Sequence, residues 1–412
     1  MRSNNTASFV ILLVAFAVVA ATLLPAAQPA SSDKSAKQKS AATQPSKKAR
    51  STASASVGKS TQKTTVAAAA RTTTAPQRVA KRPVRTRYSP WSEPTYADST
   101  IGDRLDGEDL TVRRAAVEAL GRYNGSVVVA DPNTGRVLSM VNQKVALSGA
   151  FQPCSTIKLS VAMAALVEGI IDRNTVLRVA GKRLSLTDAL AHSSNPFFAS
   201  LGEKLGFARF SFYARLFGLG ERAGLNIEGE QPGVFPSAPT NSGVGMMTSF
   251  GDGIALTPLQ LASLLSALAN GGTLYYLQYP RTNEELRDFA PKVRRRLDIS
   301  HWLSDIRPGM MAAVEYGTAR RANYDPNEPV FGKTGTCTDN RTHLGWFGSY
   351  NDVGRHRLVV VVLLTGGSGV GGSVAAQVAG DTYKNLSQAE IFSASRQYSQ
   401  SPLIAMRSCC GQ

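Results

Sequence analysis

Histidine and cysteine are scarce, with four of each in 412 residues. The cysteines stand at 154, 337, 409 and 410, a spacing that fits no zinc pattern, so neither a metal nor a cofactor is expected. No internal repeat is present. The one Gly-Lys-Thr, at 332–334, lacks the G-x-x-x-x-G-K-[ST] spacing, which excludes a phosphate loop. Acids are also few, 29 against 46 Lys and Arg, for a formal charge of +17. That excess is local. Residues 31–90 hold 14 basic residues and a single acid, Asp33, which leaves about +3 on residues 91–412. With no basic stripe on the globular part, nucleic acid is not an expected partner.

Residues 7–24, "ASFVILLVAFAVVAATLL", carry no charge at all, a length that just spans a bilayer. Residues 1–30 are therefore expected to be an uncleaved signal-anchor, with a cleaved signal peptide as the alternative, since "LLPAAQPA" is an imperfect cleavage site. Residues 31–92 have a basic Ser/Ala/Lys/Thr-rich composition without apolar periodicity, that of a solvated tether with an r.m.s. span of about 40–45 Å. Residues 93–390 form the expected globular domain, and 391–412, with Cys409 and Cys410, an irregular tail.

Within the globular part, "DLTVRRAAVEALGR" (109–122) predicts a helix with Leu110, Val117 and Leu120 on its apolar face. "GSVVVADPNTGRVLSMV" (125–141) predicts a hairpin turning at Pro132–Gly135. Residues 155–168 predict a helix apolar on nearly all sides, hence central and buried, stopped by Gly169. Further helices are expected from Ser185, with Asp188 completing a capping-box pattern, and over 257–272, with Thr257, Pro258 and Gln260 at its start and Gly271-Gly272 at its end. Strands follow at 330–336, 343–350 and 357–365, then a helix over Val374–Leu386. This order predicts an α+β fold: an antiparallel sheet built from both ends of the domain, flanked by helices, with a mainly helical insert as a subdomain.

Three short segments carry candidate chemistry. Ser155 and Lys158 are one helical turn apart on one face, at the positive end of a helix dipole. A serine needs a base, and a lysine serves as one when burial or a nearby cation lowers its pKa. A serine at a helix start is also an ordinary cap, and S-x-x-K recurs in the tether as "SSDK" and "STQK". "AHSSNPFF" (191–198) offers the Ser193 hydroxyl and the Asn195 carboxamide on an inter-helix loop, which equally serves to cap the next helix. "GKTGT" (332–336) on an edge strand offers Lys333 and the hydroxyls of Thr334 and Thr336 to a carboxylate, and Gly335 for close approach of a substrate, or else is a simple turn.

In order and context, S-x-x-K, S-x-N and K-T-G resemble the set found in active-site serine penicillin-recognising enzymes. Residues 125–385 resemble the transpeptidase domain of penicillin-binding proteins. "FGLGERAGLNIEGEQPGVFP" (217–236), "GDGIALTPLQLA" (251–262), "GTAR" (317–320) and "WFGSY" (346–350) are similar to the family's flanking segments, in order. The resemblance implies a β-lactamase/transpeptidase-like fold and a bacterial peptidoglycan D,D-transpeptidase or D,D-carboxypeptidase that works through a serine acyl-enzyme. In that reading Ser155 attacks the penultimate D-alanine carbonyl of a stem peptide, Lys158 takes its proton, and Ser193 relays a proton to the leaving D-alanine. Asn195 holds the donor peptide. Lys333, Thr334 and Thr336 bind the terminal carboxylate, and the amides of Ser155 and Thr336 form the oxyanion hole. β-Lactams would acylate the same serine. The implied location is the bacterial cytoplasmic membrane, with the catalytic domain in the periplasm, or a secreted periplasmic protein if the leader is cleaved. Cell-wall synthesis proteins are implied partners.

The departures are informative. No glycosyltransferase region or large N-terminal pedestal is seen, which suggests a reduced, auxiliary protein. The glycine usual before the nucleophile is Cys154, and Cys337 follows "KTGT". If the strand lies beside the helix start, as the family's oxyanion hole requires, the two cysteines are neighbours. A bridge there is similar to the disulfide of class A carbapenemases; two small buried thiols are the alternative. That similarity keeps a serine β-lactamase open as the second reading; "ERAGLN" (221–226), with Glu221, is suggestive of the class A loop but has one residue too many for E-x-x-L-N and fits the penicillin-binding pattern better. A non-catalytic penicillin sensor or cell-wall scaffold is the third.

Overall fold

The computed structural model describes residues 91–149, 151–353 and 356–392. The uncharged run, nearly all of the basic tether and the Cys409-Cys410 pair lie outside them. Among the described residues no helix is long and apolar enough to cross a membrane.

The chain opens with α1 (Leu110–Leu120), the hairpin β1 (Gly125–Ala130) and β2 (Val137–Val141), and α2 (Gln143–Leu147). The helical insert follows. It begins with a 3₁₀ turn, Cys154–Ile157, that runs into α3 (Lys158–Val167), then β3 (Val176–Val179), β4 (Lys182–Ser185), α4 (Leu186–Ala191) and α5 (Asn195–Leu216). After these come α6 (Gly243–Phe250), α7 (Pro258–Asn270), β5 (Thr273–Tyr275), α8 (Asn283–Arg287), β6 (Val293–Arg296) and α9 (Leu303–Glu315). The chain closes with β7 (Val330–Asp339), β8 (Thr342–Asn351), β9 (Val359–Gly366) and α10 (Gly372–Gln388).

The main sheet has the order β2-β1-β9-β8-β7, with every neighbouring pair antiparallel. It is made from both ends of the domain, as the order of elements predicts, and β7 is an edge. Both faces are apolar with period two. Val128, Trp346, Val361 and Leu363 face the core shared with α3, α5 and α7. Val127, Phe347, Val362 and Leu364 face the core shared with α1 and α10. A sheet covered on both faces needs continuous apolar strands, which explains "RLVVVVLLT". The β7–β8 hairpin turns on Asn340 and Arg341, both at positive φ, the backbone of a type I′ turn.

The helix punctuation follows the sequence. Thr257 and Gln260 form the full capping box of α7, and Gly271 ends it at φ 94. At α4 the box is incomplete: Ser185 Oγ accepts the Asp188 N–H, but the Asp188 carboxylate takes the Ser185 hydroxyl proton rather than its N–H. Leu110 departs from expectation. It is exposed at the first position of α1, because the buried stripe runs through Val112, Ala115, Ala116 and Leu120. The insert also contains two small antiparallel ribbons, β3–β4 and β5–β6, that the apolar pattern does not announce.

Candidate active site

The site forms where the helix start, the α4–α5 junction and strand β7 meet. The helix start is held tightly. The Pro153 carbonyl accepts the N–H and hydroxyl of Thr156, at 3.1 and 2.7 Å. Trp346 Nε1 of β8 donates to Gln152 O at 2.9 Å. Cys154 takes a left-handed φ of 51° to deliver the chain into the 3₁₀ turn. Ser155 does not cap: no side-chain cap bond is made at this helix start. As a first-turn residue its N–H has no intrahelical acceptor.

Ser155 Oγ instead lies 2.9 Å from Lys158 Nζ. Lys158 is fully buried, and its Nζ also contacts Ser193 O at 2.8 Å, Ser193 Oγ at 3.1 Å and Asn195 Oδ1 at 2.6 Å. Burial, and secondarily the charge of Lys333, lowers its pKa from 10.5 to about 6. At neutral pH the nitrogen is thus largely a free amine, with a lone pair for the Ser155 proton. Lys333, also fully buried, donates from Nζ to Ser193 Oγ at 2.8 Å and to Thr334 O at 2.9 Å, and burial lowers its pKa to about 7. Ser193 Oγ therefore bridges the two amines.

The S-S-N triplet resolves into two jobs. Ser193 sits at φ 55, which turns its hydroxyl toward the lysines. Ser194 is the N-cap of α5, accepting the Phe197 N–H, and Asn195 is the first residue of that helix. Capping and presentation of polar groups coexist, carried by different residues of the three.

On β7, the missing side chain of Gly335 has a neighbour other than substrate. A Cβ there would lie 3.0 Å from Pro153 O and 3.2 Å from Thr156 Cγ2, so the glycine lets the strand pack on the helix start. Thr334 and Thr336 share a side with Gly372 at the start of α10. Thr336 is an exposed residue whose Oγ1 accepts the Gly372 N–H at 2.8 Å. The Thr334 hydroxyl is 2.6 Å from that of Thr318. The Cys154 and Cys337 Cα atoms are 5.6 Å apart with their sulfurs at bonding distance, inside the range a bridge requires.

Every candidate residue thus converges on one region except Glu221. Its carboxylate is held by Arg295 at 2.7 Å and by Arg294. Thr318 is the polar neighbour that sequence reasoning passes over. Its only signal is its place in "GTAR", a flank with no chemistry of its own.

The pH dependence follows from the two amines. Lys158 accepts a proton only above its pKa, and Lys333 attracts a carboxylate only below its own. The acylation rate of Ser155 by benzylpenicillin is expected to rise as pH passes about 6 and to fall above about 7. Both folded-state values lie below 10.5, so the unfolded chain binds more protons between them and 10.5. The two lysines therefore make stability rise with pH across that interval, which a series of denaturation midpoints would detect.

This chain is similar to known proteins to different extents. Residues 125–384 match the family model described as the penicillin binding protein transpeptidase domain. Stage V sporulation protein D of Bacillus subtilis is 28% identical over 60% of this chain and 44% of its own length. The Escherichia coli peptidoglycan D,D-transpeptidase FtsI is 28% identical over 55% of this chain and 46% of its own. The Haemophilus influenzae peptidoglycan D,D-transpeptidase MrdA is 26% identical over 70% and 56%. The chain spans about half the length of these curated relatives. A crystal structure of Pseudomonas aeruginosa PBP2 in complex with WCK 5153 shares the fold at a TM-score of 0.60 and 21% identity, over 70% of this chain and 79% of that one. The match runs from the first sheet strand to the last helix and takes in the buried lysine, the serine beside it and the edge strand opposite: the chain belongs to the penicillin-binding protein transpeptidase domain family.

Proposed function

We propose that this chain is a peptidoglycan D,D-transpeptidase that acts on D-Ala-D-Ala stem peptides through an acyl-enzyme at Ser155, and that β-lactams acylate the same serine. The observation that carries this is the buried Lys158 amine 2.9 Å from Ser155 Oγ, with a pKa near 6.

Ser155 Oγ attacks the penultimate D-alanine carbonyl carbon as its proton passes to the Lys158 lone pair. The amides of Ser155 and Thr336 hold the oxyanion. The proton then moves from Lys158 through the Ser193 hydroxyl to the leaving nitrogen, and the C–N bond to the terminal D-alanine breaks. The contacts of Ser193 Oγ with Lys158 and Lys333 support that relay. Asn195 Oδ1 is taken by Lys158, which leaves the Nδ2 donors for the donor peptide's carbonyl. Lys333, Thr334 and Thr336 receive the terminal carboxylate. An acceptor amine attacks the ester, forming the new amide and freeing Ser155; water in its place gives carboxypeptidation.

Residues 93–390 are the proposed catalytic domain, joined by residues 31–92 to a membrane anchor at 1–30 and followed by a tail at 391–412. Such an arrangement puts the domain on the periplasmic side of the cytoplasmic membrane, within reach of cell-wall synthesis proteins. An oxidising compartment is consistent with a Cys154–Cys337 disulfide beside the oxyanion hole. Glu221, in the segment most like the loop with which a class A β-lactamase activates water, is engaged by Arg294 and Arg295, which favours the transpeptidase.

Incubation with a D-alanyl-D-alanine-type thioester donor and a D-amino acid acceptor tests this. Amide product that accumulates in proportion to acceptor supports transpeptidation. Donor hydrolysis alone points to a carboxypeptidase, and no consumption of donor rejects the enzyme.

A further inference from the structure

One residue outside the three motifs touches the K-T-G strand and the end of the helix that leads to the S-x-N motif. Thr318 follows α9 by three residues. Its backbone N–H donates to Ala191 O at 3.0 Å, the last carbonyl of the helix that leads to Ser193. Its hydroxyl lies 2.6 Å from the Thr334 hydroxyl on β7. The residue before it, Gly317, packs so closely that a Cβ would come within 2.3 Å of Ala191 O. Thr318 is thus clamped from the α4 side, and the direction of its hydroxyl is set by the element that also presents Ser193.

Two hydroxyls at this distance share one hydrogen bond, and either can donate. If Thr334 donates, its single proton is committed to Thr318. If Thr318 donates, the Thr334 oxygen accepts and its own proton is free. A carboxylate accepts only, so it needs the second arrangement. Thr334 is 5% exposed and has few other ways to orient that proton.

We infer that Thr318 is a positioning residue for carboxylate recognition: by donating to Thr334 it fixes the rotation of that hydroxyl, so that the Thr334 proton is held ready for the substrate carboxylate. This rests on the reading of β7 as the carboxylate-binding strand. It predicts an effect confined to ligands that carry the carboxylate, since Thr318 touches neither Ser155 nor Lys158.

The test compares acylation of the full chain by benzylpenicillin and by benzylpenicillin methyl ester, followed by intact mass, in Thr318→Val, Thr318→Ala and Thr318→Ser. Loss of the hydroxyl in the valine and alanine variants is expected to slow benzylpenicillin about tenfold while changing the methyl ester less than about twofold. The serine variant, which keeps the hydroxyl, is expected to restore the benzylpenicillin rate to within about threefold. Alanine adds no atoms and so stands in if valine is not tolerated. Parental benzylpenicillin rates in the valine and alanine variants would overturn the inference. So would equal slowing of acid and ester without rescue by serine, because that pattern belongs to a purely structural contact. If the unsubstituted protein takes up no penicillin, the transpeptidase reading fails, and this inference with it.

Discussion

Lys158→Met is expected to slow acylation of Ser155 by roughly 10²–10⁴-fold, the contribution of a positioned general base. Among the described residues Lys158 Nζ is the basic atom in contact with Ser155 Oγ, and Ser193 reaches the reacting proton only through it. Methionine keeps the length and apolar stem of the side chain and removes the lone pair. The fold should survive, since the amine's burial costs stability and that saving offsets the bonds lost from Ser193 and Asn195. Stopped-flow acylation by a chromogenic β-lactam, beside a thermal melt, separates the two effects. A rate within tenfold of the parent would show that Lys158 is not the base.

The proposed bridge between Cys154 and Cys337 carries the second large effect, on stability. It closes a sequence separation of 183 residues. Replacing both cysteines by serine is expected to cost about 2–5 kcal/mol, the usual loss on removing a native disulfide, with the chain-entropy value for so long a loop, about 5 kcal/mol, at its upper end. Residue 154 adds a backbone term. At φ 51 a side chain is strained, and glycine is not. The Cys154→Gly, Cys337→Ser pair should therefore recover about 1 kcal/mol relative to the double serine variant. Urea midpoints with and without dithiothreitol measure both. A midpoint that reductant leaves unchanged would mean the sulfurs are not bonded in solution.

What could be foreseen divides by the range of the interaction. The Ser155–Lys158 pair is local, one turn of a helix, and its burial follows from the apolar run around it. The sheet strands were legible because both faces are covered, so Val and Leu run without interruption through β9. The meeting of Ser193 with Lys333, 140 residues apart, has no local signature. It came into view through the order of three motifs and their flanks, as a resemblance. Gly335 is expected to admit a substrate, yet its closest neighbour is the helix start, a tertiary contact that no strand pattern encodes. The ribbons β3–β4 and β5–β6 are short and rich in Arg and Lys, with little alternation to detect. Leu110 misled because a 3.6-residue period is uninformative at the first position of a helix, where the stripe has not yet begun. Thr318 was invisible for the same reason as Lys333's partner: its hydroxyl matters only because two separate elements deliver a second hydroxyl to it.

Ser155 is the proposed acylated nucleophile, and the function stands or falls with it. Intact mass of the protein after benzylpenicillin, with peptide mapping of any adduct, tests it most directly. A persistent adduct of one penicillin is expected on the peptide containing Ser155, and none in Ser155→Ala. An adduct at another residue, or an unmodified Ser155 after prolonged exposure, would contradict it. Rapid loss of the adduct would keep the nucleophile and replace the transpeptidase with a β-lactamase.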